Sequence, residues 1–143
     1  MPDLNNVKLP VELNRSTSKE FKLFDGTGIF NDLMFHHALS NYHHFDILTY
    51  TISPMHVFGV REIHRLMFCV GKPPRKTKRH IRISCSHAKL WICYRTATDT
   101  DPHVYLGSAN ATEMTLHELM VRVTGDGTRS LIKHFNYLWE NNQ

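Results

Sequence analysis

The chain has little of what would mark a specialised environment. Only three cysteines occur in 143 residues, Cys69, Cys85 and Cys93. Their number is odd, and their spacing matches no zinc finger or ribbon, so a metal centre is not expected. Cys85 and Cys93 lie in apolar, strand-like runs, which reads as buried thiols in a reducing compartment. No apolar stretch approaches the roughly 20 residues needed to span a bilayer. The opening MPDLNNVKLPVELNRS has no basic segment followed by an apolar run, so no leader peptide is expected. Internal repeats and low-complexity tracts are also missing. The expectation is a soluble, cytoplasmic protein with no membrane partner.

What is present is an ordinary globular balance, with 41% hydrophobic and 21% charged residues. The length suits one domain with one substantial core. A formal charge of +4 permits a polyanionic partner without demanding one.

Residues 1–20 are polar and weakly patterned, an arm or edge segment ahead of a domain over 21–143. Gly26-Thr27-Gly28 is a turn signal. Helical spacing of apolar residues predicts helices over 29–41, 55–70 and 128–140, with Thr128 as a possible N-cap of the last. The 55–70 helix is allowed to run into a short strand. Runs rich in β-branched and aromatic residues predict strands over 45–53, 81–86, 89–95, 103–107 and 116–123. Residues 71–80 form a basic loop with two prolines, and 98–102 a polar hairpin tip. The predicted architecture is α/β, one mixed β-sheet flanked by helices on both faces.

Chemistry concentrates in His87-Ala88-Lys89 and Gly107-Ser108-Ala109-Asn110. On a strand, residues i and i+2 project to one side, so His87 pairs with Lys89 and Ser108 with Asn110. Adjacent strands would then gather an imidazole, an ammonium, a hydroxyl and an amide. Such a set suits phosphate chemistry. Lysine neutralises non-bridging oxygens, serine and asparagine donate hydrogen bonds, and glycine permits close backbone approach. Histidine can attack phosphorus or move a proton near neutral pH.

On these residues the chain resembles the phospholipase D superfamily, whose signature is His-x-Lys, an aspartate, then Gly-Ser-x-Asn. The resemblance runs from about residue 29 to the C-terminus and includes ILTYTIS as a likeness to the first core strand. Two departures stand out. Tyr94 occupies the place of the aspartate, and residues 90–106 make a longer connection, placed in the hairpin around Asp99 and Asp101. The resemblance implies a stand-alone nuclease carrying one motif, completed by a second copy in a homodimer. It implies a covalent phosphohistidine on His87, no cofactor, and no metal. It also implies that Glu118, following the second motif, orients the histidine. Glu113 is a second candidate for that role.

The basic run Lys72, Arg75, Lys76, Lys78, Arg79 and Arg82 precedes the catalytic strand and could track a nucleic-acid backbone. DNA is favoured over RNA. Alternatives are an inactive nucleic-acid-binding protein of the same fold and a phospholipid phosphodiesterase. The pairs His36-His37 and His43-His44 read as a helix surface and a loop, Trp91 and Trp139 as packing residues. Cys85, sharing a face with His87, reads as structural rather than nucleophilic.

Overall fold

A computed structural model describes residues 21–26, 38–54, 62–73, 80–112 and 118–141. They contain strands β1 (Phe21–Gly26), β2 (His44–Leu48), β3 (Thr51–Ile52), β4 (Glu62–Phe68), β5 (Val70–Gly71), β6 (Ile81–Ile83), β7 (Leu90–Tyr94), β8 (His103–Gly107) and β9 (Glu118–Val123). A short 3-10 turn, Gly125–Gly127, leads into helix α1 (Thr128–Asn141).

Seven strands make one mixed sheet in the order β1-β9-β8-β7-β2-β4-β6. β2, β4 and β6 run parallel to one another, and the remaining pairs are antiparallel. β3 and β5 form a small parallel ribbon. The α/β mixed sheet matches the expectation. Among the described residues α1 is the one full helix, and it covers one face. Most of the helix expected over 29–41 lies outside the described residues, as do the arm over 1–20 and the Thr27-Gly28 part of the turn.

The sheet buries both faces by alternation. Leu90 and Ile92 of β7, with Leu48, Met67 and Val104, pack beneath Leu131, Phe135 and Leu138 of α1. Trp91 and Cys93 point the other way, into a larger cluster with Phe45, Ile47, Leu66, Tyr105 and Met120. Trp91 is fully buried and Trp139 packs at the edge of the helix side, so both serve packing. Thr128 is itself helical, and its hydroxyl donates to the Gly125 carbonyl at 2.8 Å instead of capping the helix.

Three expectations are corrected. Residues 62–68, expected as helix, form β4. Ile63, Leu66 and Met67 have helical spacing, but the strand is interior, parallel to neighbours on both sides, and a register shift beside Phe45 leaves His64 as an extra residue. That bulge breaks the period of two, and burial on both faces makes the rest a continuous apolar run. His44, expected in a loop, opens β2 and is 4% exposed, stacked between His64 and Tyr94. Cys85, expected as a free thiol, is joined to Cys69 in a disulfide, leaving Cys93 free and buried.

Candidate functional site

The carboxyl end of β2, the start of β7 and the end of β8 meet at one rim of the sheet. Leu48, Leu90 and Leu106 are neighbours in register. The next residues along, Thr49, Lys89 and Gly107, therefore lie side by side, and the Gly107 N–H donates to the Lys89 carbonyl at 3.4 Å. His87 stands two residues before Lys89, ahead of β7, and is exposed, while Lys89 is half-buried. The two motifs thus come together at adjacent strand ends.

Asn110 is fixed from β2. Its Oδ1 accepts the backbone N–H of Tyr50 at 3.1 Å and of Thr51 at 3.2 Å, with Thr49 Oγ1 also 3.2 Å away. Two backbone donors on one atom identify it as the oxygen, so the amide cannot be turned over without losing both bonds. The NH2 end remains as the donor. The following residue is also pinned: Ala111 bridges Ile52, and its N–H donates to Thr49 Oγ1 at 2.9 Å.

Tyr50, between β2 and β3, stacks its ring on the His87 imidazole, with centroids 4.3 Å apart and planes inclined by 21°. Nothing in the sequence distinguished this tyrosine from other aromatics of a strand-like run. Histidine and asparagine are therefore linked to a single turn after β2.

Ser108 faces β9. Its Oγ donates to Glu118 Oε2 and accepts the Leu119 N–H at 2.9 Å, and its own N–H donates to the Leu119 carbonyl at 2.9 Å. Glu118 thus joins the site through Ser108. Gly107 is required for the same approach: a Cβ there would lie 2.0 Å from the Leu119 carbonyl oxygen and 2.8 Å from Met120 Sδ. The close neighbour that this glycine admits is β9. Glu113 lies outside the described residues.

A cleft of about 280 Å³ opens between this rim and α1, walled by Leu48, Leu90, Leu106 and Leu131, with Ala88, Lys89, Gly107 and His134 around it. His134 was not singled out by any motif.

Of the basic run, Lys72 is described and exposed. Arg75, Lys76, Lys78 and Arg79 lie outside the described residues. Arg82 is engaged elsewhere: its guanidinium lies over the Trp139 ring, 4.4 Å from the centroid, and bonds the Trp139 carbonyl near the end of α1. Tyr94, in place of the signature aspartate, is at the far end of β7 from Lys89. Its hydroxyl donates to Asp46 Oδ2 at 2.9 Å, an oxygen that Arg65 also binds at 2.7 Å. The departure at position 94 is thus built into a buried network beneath α1, away from the rim. Burial pushes the Tyr94 hydroxyl pKa well above its ordinary value, with Asp46 adding to the effect.

No group of three or more His, Cys, Asp or Glu side chains among the described residues is arranged to hold a metal ion. No described helix is long and apolar enough to cross a membrane.

No family model and no curated protein matches the chain. Several solved structures are similar, two of them as follows. Polyphosphate kinase from Porphyromonas gingivalis aligns at 10% identity and a TM-score of 0.46, over 85% of this chain and 22% of that one. TrmBL2, an archaeal chromatin protein described as showing a novel mode of DNA binding, aligns at 12% identity and a TM-score of 0.48, over 94% of this chain and 57% of that one. The chain spans about a fifth of the first and just over half of the second. At such values neither likeness carries an inference about activity.

Proposed function

We propose that the chain is a metal-independent phosphodiesterase of the phospholipase D type that cleaves nucleic acid, DNA in preference to RNA, at a site completed by a second copy. The observation that carries this reading is the meeting of His87, Lys89 and an oriented Asn110 amide at one sheet rim. An exposed imidazole, an ammonium and an NH2 donor carried by neighbouring strand ends would make a receptor for a phosphoryl group with a nucleophile at its edge.

A ring nitrogen of one His87 attacks phosphorus, forming a P–N bond as the P–O bond to the leaving group breaks. His87 of the second copy gives its proton to the leaving oxygen. Water then attacks the phosphohistidine, its proton passes to that second His87, and the P–N bond breaks. The Lys89 ammoniums supply positive charge at the non-bridging oxygens, the part a metal ion plays in other phosphodiesterases. Asn110 donates through Nδ2. Ser108 and Glu118 tie the β8 arm of the site to β9. The net charge of +4 and the basic run from Lys72 to Arg82, just upstream of His87, favour a polyanionic substrate. Arg82, the last of that run, also holds the end of α1 through Trp139.

The test is nicking of supercoiled plasmid in EDTA. Nicking should persist with the chelator and disappear in His87→Ala. Cleavage that requires added magnesium, or that survives the substitution, overturns the mechanism.

A further inference from the structure

We infer that Tyr50 is a positioning residue for His87, holding the imidazole in the plane from which it can attack; this rests on the phosphodiesterase reading. Three observations meet at this side chain. Its ring lies nearly parallel to His87 at 4.3 Å, covering one face of the imidazole. Its backbone N–H is bound by Asn110 Oδ1 at 3.1 Å. Its carbonyl accepts the N–H groups of Cys69 at 3.0 Å and Val70 at 3.1 Å. The peptide units on both sides of Tyr50 are therefore fixed, one by the phosphate-binding asparagine and the other by the start of β5.

The frame closes on itself. Cys69 is joined by its disulfide to Cys85, two residues before His87. The segment that carries His87 and the segment that anchors Tyr50 are thus covalently linked, with the two rings in contact between them.

His87 needs such a support. It stands on the irregular segment ahead of β7, outside the strand's hydrogen-bonded ladder, and is exposed. An exposed imidazole on that segment samples several rotamers, and each unproductive one subtracts from the fraction poised for attack. A stacked aromatic face restricts the ring without occupying either nitrogen, so the nucleophile and its proton site both stay available. A carboxylate bonded to the ring would fix it at the cost of one nitrogen.

The experiment compares wild type, Tyr50→Phe and Tyr50→Leu, with Tyr50→Met as the ringless variant should leucine prevent folding. Two readouts are taken. The first is the NMR position of the His87 ring protons in the free protein, which reports the stack whether or not the protein is a nuclease. Phe should leave them unchanged, and Leu should displace them downfield as the ring current is lost. The second is steady-state cleavage. Leu should lower kcat by about tenfold or more with KM unchanged, and Phe should restore it. A ringless variant with unmoved His87 protons shows that the stack does not exist. Displaced protons with wild-type kcat show that it does no positioning. Either result overturns the inference. An inactive wild type with the expected proton shifts instead removes the phosphodiesterase reading while leaving the stack in place.

Discussion

Asn110 shows how one side chain can serve the fold and the chemistry with opposite ends of its amide. The oxygen is consumed by the turn after β2, which leaves the nitrogen as the end with donors to offer. The near-isosteric Asn110→Asp keeps the acceptor but exchanges the donor for negative charge where a phosphoryl group must bind. It should lower turnover by about a hundredfold or more while leaving the melting temperature close to wild type. Asn110→Ala also strips the turn of its acceptor and should lose about 1–3 kcal/mol of stability, readable by denaturant titration. Loss of activity in Asp only in proportion to unfolding would assign the amide a structural role alone.

Two other histidines act at the residue scale on stability. Burial pushes His44 below its ordinary pKa of 6.5, with His64 and His43 adding to the effect. Burial, then Arg95 and Arg122, do the same for His103, whose Nδ1 is 2.8 Å from the Tyr42 hydroxyl. Folding disfavours the charged form of both rings, so the unfolded chain binds protons more readily than the folded one. Their contribution is present above pH 6.5 and is lost as pH falls through the lowered folded values. The unfolding midpoint should therefore drop on acidification below pH 6.5, and replacing both rings with Gln should flatten that slope. A wild-type curve flat from pH 7.5 to 5 would contradict this.

At the scale of elements, sequence legibility followed the regularity of the pattern. β7, β8 and β9 are short runs rich in β-branched, aromatic and other apolar residues, α1 carries a period of 3.6, and their predicted spans lie within a few residues of those observed. β4 was hidden because its bulge at His64 and its burial on both faces leave apolar residues at helical intervals. β1 was unmarked because its place is set by pairing with β9, a contact of high sequence separation. The motifs were legible because each is short and local. Tyr50 and the disulfide were not, since both depend on which segments the sheet order brings together. The disulfide closes a loop of sequence separation 16 that spans the basic run. Its reduction should lower stability by about 3 kcal/mol. Thiol titration should find no reactive cysteine in the native protein, because Cys93 is fully buried and burial pushes its thiol pKa up. Denaturation should release one thiol, and reduction before denaturation should raise the count to three. Three thiols without reductant would refute the bridge.

At the scale of the whole molecule, one chain supplies half of what the proposed reaction needs: one nucleophile, one ammonium and one oriented amide. The general acid and the second charge must come from another copy, and two-fold pairing is the simplest closed way to bring them. The measurement that tests this most directly is subunit mixing. Wild-type and His87→Ala chains are unfolded together, refolded at varied ratios, and assayed for nicking at constant total protein in EDTA. If each site requires two His87 rings, mixed pairs are inactive and activity falls as the square of the wild-type fraction. A fall in simple proportion to that fraction would show that each chain works with its own histidine alone, and would contradict the shared site.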